Sequence, residues 1–242
     1  MSILAFLSPG AGAFAKSPME RQALAAGAQL ERRDGWNVAA RFDGQDAERE
    51  RCETSVGFAD LSHLGKVELQ ARPDELLEIA GAELRLGRGT RIEDGWWLPH
   101  TPERAILLCE PGALADRRGR LENAAAGGGG LTSVIDVTTA FGALVLQGPL
   151  ARETFARFTA LDLRDPVTPP GAFRPGSVAR TPGAILRESD DRWLMLFGAA
   201  LGQYVWTVVA DAAESLGGGP VGVDALHAVA PTTLSEEAPV RA

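Results

Sequence analysis

Along this chain, apolar positions recur with two different periods, and the period changes at marked punctuation. In "GKVELQA" Val67 and Leu69 fall on one face with polar residues between them, which predicts a strand. "GWWLP" and "RAILLCE" predict two more strands joined by a turn through "HTPE". "SVIDV" and "GALVLQG" read as strands, and "GAILRE" with "RWLMLFG" reads as a hairpin turning at Ser189, Asp190 and Asp191. Elsewhere the period lengthens to that of a helix. Leu201, Val205, Val208, Val209, Ala212 and Leu216 form one stripe of a long helix beginning near Ala199. "RPDELLEIAG" predicts a short helix opened by Pro73 and closed by Gly81, and "PLARETFARF" one with Pro149 at its start. "GALADRRGRLENAAA" is helical, with Leu114 and Leu121 a heptad apart, and the glycine run 127–130 breaks it. The charged "DAERERCETS" predicts a half-exposed helix. "SPMERQAL" has the spacing of a capping box, with Ser17 as cap, Pro18 at the first helical position and Glu20 three residues after the serine. "GPVGVDAL" is expected as a last strand or turn.

Each half of the chain therefore reads strand, helix, strand, strand, helix. This is an internal repeat of about 100 residues, which predicts an α+β protein of two ferredoxin-like lobes. The expected division is residues 1–126 for the first lobe and 131–230 for the second, with the glycine run between them as hinge. Residues 231–242 are polar and expected to be a mobile tail.

Composition narrows the function classes. The 242 residues are 45% hydrophobic and 6% aromatic, with the single tyrosine Tyr204, and the formal net charge is -8. Basic residues are scattered, which argues against a protein that tracks nucleic-acid phosphates. Cys52 and Cys109 stand far apart in the chain and form no C-x-x-C pair, so neither a disulfide framework nor a metal site is expected. The start "MSILAFLSPGAGAF" has no basic region before its apolar run and is expected as a strand or arm rather than a signal peptide. No run is long enough to span a bilayer, so a soluble, cytoplasmic chain without membrane partners is expected.

The stretch "VGFADLSHLGKVEL" sets Ser62 beside His63, two residues after Asp60. Adjacent strand residues point to opposite faces, so a serine–histidine dyad is disfavoured. Asp60 or Ser62 is expected to bond the local backbone at the entry to the strand, with His63 left to line a pocket. Asp94 precedes Gly95 and reads first as a turn residue. Its second reading is a carboxylate at a strand end, beside the flat walls of Trp96 and Trp97, able to bind or protonate a ring nitrogen. Trp193 and Trp206 have core-like spacings, Arg152, Glu153 and Arg157 mark a solvated helix face, and His100 and His227 lack a partner at metal-ligand spacing.

Longer stretches carry a resemblance. "AGAQLERRDGWNVAARFDGQDAERERCETSVGFADLSHLGKVEL", "GALVLQGPLARETFARFTALDL", "QYVWTVVADA" and "GGPVGVDAL" resemble, in order and spacing, the glycine cleavage T protein family of folate-binding aminomethyltransferases. The likeness runs from near Arg21 to Leu226. It implies tetrahydrofolate between the lobes, and it makes the run Asp60, Ser62, His63 a structural entry into a central strand near that cavity. The family's paired aspartates find their nearest match at Glu93 and Asp94, without the usual asparagine-rich context. Its pterin-holding glutamate finds only a displaced match in Glu188. The family's C-terminal barrel has no counterpart here. "SVIDVTTAFGALVLQGPLARETFARFTALDLRDPVTPPGAF" and "VARTPGAILRES" are most similar to the sarcosine oxidase gamma subunit.

The resemblance implies an accessory subunit of folate-associated one-carbon metabolism, in a sarcosine-oxidase-like complex that oxidises N-methyl amines. The expected partners are flavoprotein oxidase subunits or a second copy of the chain. Two alternatives stand beside it: a free-standing tetrahydrofolate-dependent aminomethyl or methyl transferase, and a folate-binding protein without turnover. Asp94 is the candidate catalytic residue, and Asp94, Glu188, Trp96 and His63 are the candidates for holding the cofactor. No metal is expected.

Overall fold

Fully buried apolar residues occur on both faces of the central strands, which requires each sheet to be covered twice. The computed structural model, which describes residues 13–127 and 130–226, meets that requirement with four layers, helices outside and two sheets inside. The expected N-terminal arm falls largely, and the C-terminal tail and His227 wholly, outside the described residues.

The first sheet contains β4 (Gly65–Gln70), β5 (Thr90–Ile92), β6 (Gly95–Thr101), β7 (Arg104–Cys109) and β8 (Ser133–Asp136), in the order β5-β6-β7-β4-β8. All its pairings are antiparallel. Helices α3 (Pro73–Ala80) and α4 (Leu114–Ala126) contribute Leu76 and Leu121 to a core with Val67, Leu69, Trp97 and Leu107. Helix α3 begins with Pro73 in its first turn and ends at Gly81 in the left-handed region, as its sequence predicts.

The second sheet has the order β10-β11-β12-β9-β3-β13. Its strands are β3 (Gly57–Asp60), β9 (Phe141–Gln147), β10 (Phe173–Val178), β11 (Thr181–Arg187), β12 (Arg192–Gly198) and β13 (Gly219–Pro220). On its outer face Leu144, Leu146, Ile185, Met195 and Phe197 pack with α5 (Ala151–Ala156) and α6 (Gly202–Glu214), through Phe155, Val205, Trp206 and Val209. Trp193 and Trp206 are core residues, as their spacing suggests. The inner faces of the two sheets meet in a third cluster. Trp96, Leu98, Ile106 and Leu108 come from the first sheet, and Ala143, Val145, Ala184, Leu186, Leu194 and Leu196 from the second.

The expected repeat is visible in the strand orders. Units β4-α3-β6-β7-α4-β8 and β9-α5-β11-β12-α6-β13 both follow the ferredoxin-like order of elements, with β5 and β10 added at corresponding edges. The second unit differs because β3 is inserted between β9 and β13. Sheet membership accordingly does not change at the glycine run 127–130. β8 follows that run but pairs with β4, while β3 precedes it and pairs with β9.

Before these units come α1 (Glu20–Ala25), the hairpin β1 (Gln29–Arg33) and β2 (Trp36–Arg41), and α2 (Gln45–Thr54). The hairpin turns at Asp34 and Gly35, both at positive φ, the geometry a two-residue turn needs to match strand twist. The capping box at Ser17 does not form. The Ser17 hydroxyl donates to the Asp60 carboxylate and accepts the Met19 N–H, while Glu20 pairs with Lys16 and accepts from Asn37. A buried acceptor elsewhere in the fold outcompetes the local helix end. The short helix α7 (Val223–Leu226) closes the described chain. Among the described residues, no helix is long and apolar enough to cross a membrane.

Candidate functional site

The run Asp60–Lys66 turns the chain from the second sheet into the first. Asp60 ends β3 and accepts the Ser62 N–H at 2.9 Å. The Ser62 hydroxyl accepts the Ala143 N–H at 3.2 Å and donates to the Ala143 carbonyl at 3.5 Å. Lys66, second in β4, is fully buried and donates to the carbonyls of Ser62 and Leu64 at 3.0 and 2.8 Å. Burial raises the Asp60 carboxyl and pushes the Lys66 ammonium down to about 8. Ser62 is thus engaged with the backbone, as expected for a residue that shapes the entry to the strand. His63 is half-buried and lines a cavity.

That cavity, of about 980 Å³, lies where the inner faces of the two sheets end. Asp94, Trp96, Glu188 and His63, the four residues singled out from sequence, all line it. Trp97 does not. It is the neighbour of Trp96 on the same strand, so its side chain turns to the opposite face and packs with α3 and α4.

Glu188 follows β11 and is one polar joint between the lobes, beside the backbone bonds that tie Gly87 and Gly89 to Phe173 and Gly171. Its Oε1 accepts the Trp96 indole N–H at 3.0 Å, and its Oε2 accepts from Arg192 Nε at 2.7 Å. Arg91 approaches Oε1 to 4.0 Å and places its guanidinium 5.1 Å from the centre of the Trp96 ring. One face of Trp96 is therefore already covered by a cation. Asp94 lies at the tight turn between β5 and β6, where sequence places it, but its carboxylate is held by Arg117 of α4 at 3.0 Å from Nε. The Arg117 guanidinium holds Asp94 below the usual carboxylate range. Asp94 is an ionised acceptor and a poor proton donor.

Two cavity residues escape the sequence reading. Gln147 ends β9 and Arg192 begins β12, and the two are direct cross-strand partners. Arg192 Nη1 donates to Gln147 Oε1 at 2.8 Å. The only local signal is a glutamine at the end of an otherwise apolar strand, "GALVLQ", whose buried amide needs a partner. Cys52 and Cys109 also line the cavity, and burial pushes both thiols up to about 11. At that value neither is a ready nucleophile. Asp190 pairs with the buried Arg187 rather than serving the cavity. Among the described residues, no group of three or more histidine, cysteine or acidic side chains could hold a metal ion.

No family model matches the chain. It is 27% identical over 146 residues to an aminomethyltransferase of Listeria monocytogenes, covering 53% of this chain and 39% of that protein. It is 37% identical over 101 residues to an aminomethyltransferase of Picosynechococcus, covering 42% of this chain and 26% of that one. The matches thus span well under half the length of these relatives. The crystal structure of the glycine cleavage system aminomethyltransferase T from Bartonella henselae is similar in fold, with a TM-score of 0.71 at 17% identity over 88% of this chain and 60% of that one. A chain of the heterotetrameric sarcosine oxidase from Corynebacterium is also similar, with a TM-score of 0.64 at 20% identity over 84% of this chain and 96% of that one. Part of the chain is thus similar in sequence to aminomethyltransferases, and its architecture is shared with aminomethyltransferase T and with a chain of sarcosine oxidase.

Proposed function

We propose that the chain serves folate-associated one-carbon metabolism as the accessory subunit of a sarcosine-oxidase-like complex, with the cavity between the lobes as its folate site. The cavity supports this reading in size, since ligand pockets run from about 300 to 1,000 Å³. The observation that carries it is Glu188. A carboxylate already fixed by Trp96 and Arg192 keeps a free lone pair on each oxygen, which suits the adjacent N–H donors of a pterin. Tetrahydrofolate would supply the one-carbon acceptor. Glu188 would orient it, and Trp96 and His63 would bound it. Asp94, held ionised by Arg117, favours an accessory role over acid catalysis by this residue. The partner in this reading is a flavoprotein oxidase.

The test has two measurements. Calorimetry of the chain with tetrahydrofolate is expected to show binding that Glu188→Ala weakens. Purification from the native source is expected to recover a flavoprotein with the chain. If the chain alone transfers an aminomethyl or methyl group to tetrahydrofolate and brings no flavoprotein, the transferase reading replaces this one. Folate binding with neither activity nor partner supports a binding protein without turnover.

A further inference from the structure

Gln147 is 4% exposed, yet only one end of its side-chain amide is used inside the protein. Its Oε1 accepts from Arg192 Nη1 at 2.8 Å. Arginine has donors and no acceptor, so the amide cannot be turned round without setting its own N–H groups against those of the guanidinium. The Nε2 end is therefore fixed on the other side. It has no hydrogen-bond partner among the described residues, and Gln147 lines the cavity. That nitrogen is open to the cavity, where water or a ligand can accept from it.

The same guanidinium fixes Glu188, through Nε at 2.7 Å. Arg192 and Gln147 face each other in register across β12 and β9, and Glu188 closes the turn by donating its backbone N–H to the Arg192 carbonyl at 2.9 Å. One arginine thus presents two groups of opposite kind to one cavity, an acceptor at Glu188 and a donor at Gln147. Neither can exchange roles without breaking its bond to Arg192.

We infer that Gln147 is a specificity-determining residue that selects a ligand bearing a ring carbonyl, donating to that oxygen while Glu188 accepts from the ligand's N–H groups. This inference rests on the folate reading of the cavity. It adds that the site distinguishes an oxo-pterin, with its N–H beside C=O, from the amino analogue in which an amine replaces the ring carbonyl. The amine would set a donor against the Gln147 donor. Sites built around a hydrogen bond reject a ligand that lacks its counterpart more strongly than apolar pockets reject a change in size.

The experiment is calorimetry of the full chain with tetrahydrofolate and with its amino analogue. The expected result is a preference for the oxo compound of roughly tenfold or more. Gln147→Glu keeps the bond to Arg192 and turns an acceptor to the cavity, so the preference is expected to reverse. Gln147→Met removes the donor without adding charge and is expected to erase the preference, which serves if the glutamate variant fails to melt cooperatively. Equal binding of the two compounds by the parent chain, or an unchanged preference in a folded variant, overturns the inference and leaves the folate reading in place. Absence of binding by both compounds overturns the two together.

Discussion

Trp96 on the first sheet donates its indole N–H to Glu188 on the second at 3.0 Å, across an interface whose remaining core is apolar. Glu188→Ala would leave the Trp96 N–H and the Arg192 Nε–H without their acceptor, while Arg192 Nη1 keeps Gln147. The expected loss is about 1–3 kcal/mol of unfolding free energy. Urea denaturation of parent and variant measures it, and an unchanged midpoint would mean that the bond does not hold the lobes.

Asp94 and Arg117 make a different pH statement. The Asp94 carboxyl is held below its ordinary value, chiefly by its hydrogen bonds to Arg117. Its contribution is therefore present above the unfolded value of about 3.9 and lost as pH falls through the lower folded value. Asp94→Asn is expected to reduce stability by about 1 kcal/mol or less at neutral pH, because the pair is partly solvated. The gap between parent and variant should close in strong acid. A gap that persists there would assign the effect to packing.

Lys66 gives a slope of the same sign, in alkali. Burial lowers its folded value to about 8, against an ordinary value of about 10.4, although Asp60 and Asp136 oppose the shift. Between those limits the unfolded chain binds more protons than the folded one, so stability contributed at this position rises with pH. Relative to Lys66→Met, the parent should gain stability on going from pH 8 to pH 10. Chemical denaturation across that range checks the sign, and a flat difference would show that Lys66 stays charged in the fold.

Glu48 is buried on α2 and collects three backbone N–H groups. Oε1 accepts from Phe42 and Asp43 at 2.7 and 2.8 Å, and Oε2 accepts from Gly222 at 2.6 Å. Gly222 leads into α7, whose Val223 and Leu226 line the cavity. Glu48→Gln has one acceptor oxygen where two are needed and is expected to lose roughly 2–4 kcal/mol, read from thermal or denaturant melting. Faster amide exchange at Gly222 should accompany the loss, and a variant as protected there as the parent would contradict this account.

What the sequence discloses follows from the range of the forces involved. The hairpins β6–β7 and β11–β12 were legible because alternation and turn residues lie within a few positions of each other. β3 was not, because "GFAD" is buried at every position and a four-residue buried run has no period to detect. Ser17 misled because its capping spacing is local, while the Asp60 carboxylate that takes its hydroxyl lies 43 residues away. Asp94, Trp96, Glu188 and His63, named from sequence, all line the cavity, Glu188 having been named only through the family resemblance. Arg192 and Gln147 were missed because their meaning arises from cross-strand register. The choice between Trp96 and Trp97 also needed the sheet, since alternation separates the two but does not say which face is the cavity's.

The insertion of β3 has a consequence for how the chain is made. Residues 57–60 leave the ribosome before any of the strands they join, and their neighbour β9 is synthesised about 80 residues later. Until then β3 has no partner in the second sheet, although β4, which follows directly, can begin to pair within the first. The two lobes are thereby interlocked in a single biosynthetic event. A gene split at the glycine run would deliver a second half without the strand that joins β9 to β13 and a first half without β8. Neither fragment should fold alone, and mixing the two should restore both.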